Sequence, residues 1–344
     1  MFANHQYDIT PEKQASLARF FYNQLTVTPT EVRDADLRGK TAIVTGANSG
    51  VGFESSRQLL DLGLSKLILA VRSEEKGKAA LAKLSQSRTL DAKAIEVWLV
   101  DFSDYSSVVS FVERTKSLER LDIVILSVGI FPASRTFNER TKHDEMIQVN
   151  YLSTALLIIL LLPVCKTKDR SQPARITLVS SEVSAWTSFK ERSERPLLSA
   201  LDKPGNINLL DRMMVSKLLG QLFLAKLAKL VPTTVAIINS ASPAGLHDTE
   251  FGKEHEKGII AAIGKSVLRR IYYSSAIGSR TVVDAAVKHG KETHGEFFSF
   301  QKMVPMAPLV YSFEGQDIRD QLWNETMEEL SFARVETILK DVSM

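Results

Sequence analysis

The sequence has very little cysteine and no excess of charge of one sign. Cys165 is the only cysteine among 344 residues, which excludes an intrachain disulfide and fits a reducing compartment such as the cytoplasm. Lysine and arginine number 43 and aspartate and glutamate 40, for a net charge of +3, and both signs are interspersed along the chain. A nucleic-acid partner is therefore not expected.

Long hydrophobic runs are absent as well. The most apolar run, residues 155–164, is about half as long as the ~20 residues that a membrane-spanning helix needs, and we predict that it is a buried helix. The first residues lack the basic and apolar regions of a secretory signal, and the last ones carry no lipidation motif. With 44% hydrophobic and 24% charged residues, the composition is typical of a globular protein without a membrane span.

From residue 40 onward, short apolar runs alternate with longer amphipathic stretches. The apolar runs predict strands at 41–45, 66–71, 94–100, 122–127, 175–180, 233–239 and 296–300. The amphipathic stretches predict helices at 51–62, 74–84, 105–117, 142–162, 212–230 and 276–289. Because helical crossovers of this length connect parallel strands, we predict an α/β fold: a single Rossmann-type, doubly wound parallel sheet of about seven strands with helices on both faces.

The residues at which the alternation of strands and helices begins and ends predict the domain organisation. Residues 1–38 form an N-terminal arm with a short helix near 15–25, residues 39–310 form the Rossmann domain, and residues 311–344 form a helical C-terminal extension. Two stretches inside the domain, 182–211 and 246–275, do not fit the alternation. Both follow strands, and open parallel sheets bind ligands at the carboxyl ends of their strands, so we predict that these stretches shape a substrate pocket.

A glycine-rich loop, TGANSGVG at 45–52, connects the first predicted strand to the first crossover helix. Glycines let the backbone turn tightly and approach a pyrophosphate, and the amides at the start of a helix donate hydrogen bonds to phosphate. This placement predicts a dinucleotide site. Its predicted contacts in the loop are Gly46, Asn48, Ser49, Gly50, Val51 and Gly52.

The second predicted strand leads into Arg72 and has no acidic residue at its end. Sites that prefer NAD usually place an acid there on the ribose diol, whereas an arginine can bind the 2′-phosphate of NADP. We therefore predict NADP(H) as the cofactor. A solvated charge at the start of a helix is the alternative interpretation of Arg72.

Several motifs occur in the order found in one enzyme family. They are TGANSGVG at 45–52, VRS at 71–73, VDFSD at 100–104, QVN at 148–150, LVSSE at 178–182, VSK at 215–217, and the later GSRTVVDAA and THGEFF stretches. On these residues the chain resembles the short-chain dehydrogenase/reductase family, nearest to its retinol-dehydrogenase-like members from fungal biosynthetic pathways. The resemblance covers about residues 37–310.

The resemblance implies further cofactor contacts and a subunit interface. The implied contacts are Asp101 and Phe102 beside the adenine, Ser127 and Gly129 after the fourth strand, and Gly245, Leu246 and Thr249 after the sixth. In the family, the helix that matches 155–164 packs between subunits, so a homodimer is implied. No metal site is predicted.

The implied catalytic set is complete except for one residue. Asn150 would hold a water linked to the active-site lysine, Ser181 would hydrogen-bond the reacting oxygen, and Lys217 would bind the nicotinamide ribose. In the family, this lysine also lowers the pKa of a tyrosine four residues earlier, which is the proton donor. Met213 occupies that position, and a thioether has no exchangeable proton.

No neighbouring residue is an evident substitute for the tyrosine. Tyr151 follows Asn150 on a predicted helix, so it faces elsewhere and is expected to pack. Three titratable residues lie near the ends of predicted elements and each has an alternative interpretation. These are Glu182 as a solvated loop acid, Asp211 as a helix cap and His247 as a lid residue.

Three functions from different classes remain open. The first is an NADP(H)-dependent oxidoreductase for a hydrophobic natural-product carbonyl or alcohol, in which Ser181 holds the oxygen, Lys217 stabilises the oxyanion, and water or another side chain supplies the proton. The second is a non-redox isomerase, cyclase or lyase that acts by positioning its substrate, with NADP(H) bound only structurally or absent. The third is a catalytically silent NADP-binding protein.

Overall fold

A computed structural model describes residues 7–343 except 87, 92, 167–171, 248 and 252–268. Its centre is one eight-stranded sheet of β1 (Thr41–Thr45), β2 (Lys66–Val71), β3 (Ile95–Leu99), β4 (Ile123–Leu126), β5 (Ala174–Val179), β6 (Ala236–Ser242), β7 (Phe297–Ser299) and β8 (Lys302–Val304). The strand order across the sheet is β3-β2-β1-β4-β5-β6-β7-β8. All neighbours pair in parallel except β7 and β8, which are antiparallel. The predicted Rossmann-type sheet is confirmed.

The last strand, β8, is absent from the sequence prediction. It forms a hairpin with β7 through a two-residue turn in which both residues have positive φ, 49° at Phe300 and 58° at Gln301. Hairpin turns of this kind are usually marked by asparagine and glycine. A Phe-Gln turn gives no such signal, so the sequence pattern does not reveal this strand.

Eleven α-helices lie entirely within the described residues. They are α1 (Pro11–Gln14), α2 (Leu17–Thr26), α3 (Gly50–Asp61), α4 (Glu74–Ser85), α5 (Tyr105–Thr115), α6 (Glu145–Cys165), α7 (Leu197–Leu201), α8 (Leu209–Leu227), α9 (Ser275–Val287), α10 (Phe313–Glu329) and α11 (Val335–Ser343). Helix α8 begins three residues earlier than predicted because the Asn208 side chain caps it by accepting from the Asp211 amide at 3.1 Å. The interpretation of Asp211 as the helix cap is therefore wrong.

The core lies on both faces of the sheet. Along β1, Ile43 belongs to one apolar cluster, while Ala42 and Val44 belong to a second. This alternation follows from the period of two in a strand, and helices cover both faces. The first cluster is covered by α5, α6, α8 and the C-terminal helices, and the second by α3, α4 and α9. The C-terminal helices add Leu322 and Leu339 to the first cluster.

Helix α6 contains the predicted buried run. With its preceding turns it extends over Glu145–Cys165, and by length and composition it could cross a membrane, yet 83% of its most apolar window is buried within the protein. The core helix of a globular protein meets the same criteria. A π-helical turn at Gln148–Leu152 interrupts it near its start, and such turns are frequent at functional sites.

Candidate active site

The glycine-rich loop adopts a conformation that requires glycine at several positions. Gly46 and Gly50 have φ values of +65° and +55°, in the left-handed region that favours glycine. A Cβ atom on Gly52 would lie 2.4 Å from the Gly46 carbonyl oxygen, so α3 begins in direct contact with the turn. The Ser49 side chain accepts no hydrogen bond from the first turn of α3, which leaves the amides there to donate to a ligand phosphate.

The loops after β1 and β4 are tied together at the carboxyl edge of the sheet. The Thr45 hydroxyl oxygen accepts from the amides of Ser127 and Val128 at 3.0 and 3.3 Å. A Cβ on Gly46 would lie 3.4 Å from the Ser127 carbonyl. The structure therefore places the glycine-rich loop beside Ser127, where the resemblance implies that one cofactor crosses both loops.

Asn48 also lies in the glycine-rich loop, and its side-chain amide is 3.4 Å from the Ser49 hydroxyl. Val51 is half-buried in the first turn of α3.

Arg72 lies at the same edge, directly after β2. Its strand is the neighbour of β1, and the Gly46 amide donates to the Ala70 carbonyl at 2.9 Å. Arg72 is exposed, and among the residues that the structure describes no carboxylate forms an ion pair with it. The guanidinium is thus available to bind a phosphate beside the glycine-rich loop.

The predicted adenine-side residues differ in their surroundings. Asp101 is half-buried and its carboxylate accepts from the Ser103 amide at 2.9 Å. The ring of Phe102 is 4% exposed and lies in the first core cluster. The Ser153 hydroxyl donates to the Phe102 carbonyl at 2.5 Å. Of the two side chains, Asp101 is the one that a ligand can reach.

Three predicted site residues meet at the carboxyl ends of β4 and β5. A Cβ built on Gly129 would lie 3.5 Å from Asn150 Oδ1 and 3.7 Å from Lys217 Nζ. The Asn150 side chain is fixed from both ends, since Oδ1 accepts from the Ile130 amide at 2.8 Å and Nδ2 donates to the Ser216 hydroxyl at 3.0 Å. The π-helical turn, which contains Asn150, therefore holds the Asn150 side chain close to Lys217.

Lys217 projects from α8 to the end of β5. Its ammonium donates to the Val179 carbonyl at 3.0 Å, two residues before Ser181. Burial lowers the pKa of Lys217 to about 8, because the charged amine loses hydration in this position. The Lys217 side chain can thus gain or lose its proton near physiological pH.

Ser181 begins the segment that follows β5. Its backbone is extended, and its hydroxyl oxygen accepts from the Val183 amide at 3.4 Å, which leaves the hydroxyl proton to donate to a ligand. The residue is half-buried. Ser181 and Lys217 are thus both held at the carboxyl end of the same strand, β5.

Met213 lies one turn before Lys217 on α8. It is 7% exposed, but it belongs to none of the three apolar clusters formed by the described residues. The Ser216 hydroxyl, which also contacts Asn150, donates to the Met213 carbonyl at 2.7 Å. The helix face that carries Lys217 therefore carries a thioether where the family has a phenol.

Two of the other titratable residues, Tyr151 and Asp211, are held by contacts outside the site, and His247 lies in the loop after β6. Tyr151 is buried in the first core cluster, and its hydroxyl lies 2.6 Å from that of Thr326. The Asp211 carboxylate accepts from the Thr187 hydroxyl at 2.9 Å and from the Ser188 amide at 2.8 Å. His247 is half-buried, and its backbone amide donates to the Tyr273 carbonyl at 3.0 Å. Tyr151 therefore packs in the core, while Asp211 holds the loop after β5.

Glu182 is buried, so its interpretation as a solvated loop acid is wrong. Its carboxylate accepts from the Ser299 hydroxyl at 2.5 Å and from the Ser242 hydroxyl. Burial raises the pKa of Glu182 above its usual value. The carboxyl connects the ends of β5, β6 and β7 in a way that no local sequence pattern indicates.

Two aromatic residues that the sequence analysis does not predict lie close to Gly129, Asn150 and Lys217. A Cβ on Gly129 would lie 3.5 Å from a ring carbon of Phe251. The rings of Phe251 and Phe131 have centroids 5.9 Å apart. We call these two rings the aromatic wall. Each lies in a loop that follows a strand, but the two spacings from the strand end differ, so no sequence pattern identifies them.

The loop after β6 carries the remaining predicted cofactor contacts. Gly245 lies between two side chains, since a Cβ there would be 2.8 Å from the Tyr272 ring and 3.1 Å from Gln24 Oε1. Leu246 forms a bridge with Tyr273, and the Thr249 hydroxyl donates to the Phe251 carbonyl at 3.2 Å. Much of the predicted pocket segment 246–275 lies outside the described residues.

The described part of the chain contains no cluster of three histidine, cysteine, aspartate or glutamate residues that could hold a metal ion.

Comparisons with known proteins agree with the observed fold. The family described as short chain dehydrogenase matches residues 40–191. The short-chain dehydrogenase fogG of Aspergillus ruber is 43% identical, over 98% of this chain and 99% of its own. A crystal structure of a Mycobacterium paratuberculosis protein superposes with a TM-score of 0.62 at 21% identity, over 87% of this chain and 96% of its own. A Beutenbergia cavernae structure with bound NADP gives 0.55 at 17% identity, over 77% and 96%.

Proposed function

The chain belongs to the short-chain dehydrogenase family, and on that premise we propose that it is an NADP(H)-dependent oxidoreductase for a hydrophobic carbonyl or alcohol compound of natural-product biosynthesis. The observation that carries the proposal is the meeting of Gly129, Asn150 and Lys217 beside the aromatic wall. Polar groups with aromatic rings beside them suit an apolar substrate with one oxygen to be held. The single buried thiol, Cys165, supports a cytoplasmic location.

The residues at the carboxyl edge fit an NADP(H) molecule. The cradle formed by Gly46, Gly50 and Gly52 would hold the pyrophosphate, and Arg72 would hold the 2′-phosphate. The bound NADP of the Beutenbergia cavernae structure supports the same class of cofactor. When bound, this cofactor donates or accepts a hydride.

The chain's own residues then act on the substrate oxygen. The Ser181 hydroxyl donates a hydrogen bond to it, and the Lys217 ammonium stabilises the negative charge that develops there. Both groups are held before the substrate arrives, by the Val183 amide and the Val179 carbonyl respectively. Water or another side chain supplies the proton, because Met213 has none to give.

Met213 favours a second candidate function, a non-redox isomerase, cyclase or lyase. A site without the phenol can still polarise a carbonyl through Ser181 and Lys217, and it can accelerate a reaction by holding the substrate in a productive geometry. In that case NADP(H) binds without turnover or does not bind.

One experiment separates these functions. Purified protein is titrated with NADPH and NADP⁺, with NADH as the control, and the products from a panel of enones and ketones are then identified. Substrate-dependent loss of NADPH with a reduced product is the expected result. A product of unchanged oxidation state would establish the non-redox function, and tight NADPH binding without any product would establish a silent binding protein.

The role of Arg72 gives a separate prediction. Arg72→Ala is expected to weaken NADPH binding about 10- to 100-fold, the range for a lost charge-assisted hydrogen bond, because the 2′-phosphate loses its partner. NADH, which lacks this phosphate, is expected to bind equally well to both proteins. Lys78→Ala is the matched control, since Lys78 is exposed on α4 and pairs with Glu74 at 2.7 Å. Equal weakening of NADH and NADPH binding would contradict this role.

The homodimer that the resemblance implies would use α6, and we propose instead that the chain is a monomer. Helix α6 packs against α5 and α11 of its own chain. The Lys166 ammonium donates to the Asp341 carbonyl at 2.8 Å, which fastens α11 at its end. Within Ser153–Cys165, Pro163 is the one exposed residue. Light scattering is expected to give a mass near 38.2 kDa. A stable particle of twice that mass would refute the proposal.

A further inference from the structure

The N-terminal segment 10–34 contacts the loops that follow three neighbouring strands. The Trp186 indole, in the segment after β5, donates to the Ala15 carbonyl at 2.7 Å. The Gln24 side chain contacts the loop after β6. The Gln301 side chain, in the turn after β7, accepts from the Thr30 amide at 2.7 Å. These loops all lie at the carboxyl edge of the sheet, which is the edge that carries the candidate site.

Gln24 makes the most specific of these contacts. Its side chain is 2% exposed and uses both ends of its amide. The oxygen accepts from the Gly245 amide at 2.9 Å, while the nitrogen donates to the carbonyls of Gly245 at 3.3 Å and of Ile271 at 3.1 Å. One side chain thus binds both polar backbone groups of Gly245, as a neighbouring strand would.

The backbone around Gly245 needs such support. Ala244 has a φ of 62°, a conformation that residues with a Cβ adopt at an energetic cost. The Ala244 amide donates to the Ser242 hydroxyl at 3.0 Å, and Ser242 in turn donates to the buried Glu182. The loop is therefore fixed by Ser242 from the sheet side and by the Tyr273 backbone, whose amide donates to the Gly245 carbonyl at 2.9 Å. Gln24 adds the partner of the Gly245 amide.

Apolar contacts hold the segment in this position. The Phe20 ring packs edge-on against Trp186 with centroids 5.2 Å apart, and it lies 6.4 Å from the Phe300 ring. Phe20, Phe300 and Tyr273 form a small cluster separate from the two faces of the sheet. The Tyr273 hydroxyl donates to the Val27 carbonyl. The segment therefore has an apolar anchor of its own, which orients Gln24 toward the loop.

We infer that Gln24 is a positioning residue, which holds Gly245 and the adjoining Leu246 in place for the cofactor. The N-terminal segment is then one wall of the active site. The inference rests on the proposed function because Gly245 and Leu246 are proposed cofactor contacts. Its structural part, the immobilisation of the loop, can be measured without any cofactor.

The test compares Gln24→Leu with Tyr22→Ala. Tyr22 is on the outer face of the same helix, 59% exposed, so its removal controls for changes in α2 itself. Gln24→Glu is a second variant, which keeps an acceptor for the Gly245 amide and loses the donor. Two properties are measured: hydrogen exchange of residues 243–247 in the free protein, and the dissociation constant for NADPH.

Gln24→Leu removes all three hydrogen bonds of the Gln24 side chain. Exchange at Gly245 is expected to become about tenfold faster or more, and NADPH binding about tenfold weaker or more, since one lost buried hydrogen bond alone can have an effect of this size. Gln24→Glu is expected to lie between this variant and the wild type, and Tyr22→Ala to match the wild type. Unchanged exchange at Gly245 would overturn the inference. Faster exchange with unchanged NADPH affinity would also overturn it, because the loop position would then not matter to the cofactor. If the wild type itself bound no nicotinamide, the proposed function would fail, whereas faster exchange would still support the immobilisation.

Discussion

Met213→Tyr is expected to raise the rate of carbonyl reduction by about 10²-fold or more, since general acid catalysis contributes about 10²–10⁴-fold. The new phenol would lie one helical turn from Lys217, on the helix face that also carries Ser216. The Lys217 ammonium would favour its ionised form and so lower its pKa toward neutrality. The rate is measured as NADPH consumption with a panel of simple ketones, at saturating cofactor.

Two controls separate proton donation from a change of shape. Met213→Phe adds a ring of similar size without a hydroxyl, so it is expected to give no gain. Met214→Tyr places a phenol at the neighbouring half-buried position, which points to a different side of the helix. A gain in Met213→Phe, or no gain in Met213→Tyr with wild-type NADPH affinity, would show that the site lacks the geometry proposed here.

Lys217→Met is expected to lower turnover by about 10²–10³-fold, the effect of removing one preorganised donor from a developing oxyanion. Methionine keeps an apolar stem of similar length, so the change removes mainly the charge and its hydrogen bond to Val179. Because the Val179 carbonyl then loses its donor, thermal stability is measured alongside turnover. A variant that folds and keeps wild-type turnover would exclude an electrostatic role for Lys217.

The pH dependence tests the same residue without altering it. The pKa of Lys217 is lowered to about 8, so the ammonium predominates below this pH and the neutral amine above it. Only the charged form stabilises an alkoxide, so turnover for reduction is expected to be full about one unit below pH 8, to be half at pH 8, and to approach a tenfold fall per unit well above it. In Lys217→Arg the side chain stays protonated, and the fall is expected to disappear. A wild-type profile that stays flat above pH 8 would contradict this assignment.

The central strands of the sheet could be predicted because they are buried on both faces. The runs of β1 and β2 are continuous apolar segments bounded by polar residues, and their predicted limits agree with the structure. The sequence pattern places β6 at 233–239, three residues before its observed position. The second half of the strand, through Ser242, consists of small or polar residues without apolar periodicity. Strand β8 follows the turn at Phe300 and Gln301, which lacks the asparagine and glycine that usually mark a hairpin.

The candidate site could be predicted to the extent that its residues belong to the sequence motifs on which the family resemblance depends. The structure brings Gly129, Asn150 and Lys217 together, as the motifs imply. The burial of Glu182 and the hydrogen bond between Gln24 and Gly245 depend on contacts between distant parts of the chain. Gln24 and Gly245 are separated by 221 residues. Such contacts follow from packing, for which one sequence without its fold has no local signal.

The central claim is that this pocket performs nicotinamide-dependent chemistry although Met213 replaces the phenol. The most direct test is NADPH deuterated at the transferred position, with mass analysis of the product from a ketone panel. The account predicts one deuterium in the alcohol product and one equivalent of NADP⁺. A product without deuterium and with unchanged oxidation state, formed equally well without NADPH, would contradict the account and identify a repurposed non-redox pocket.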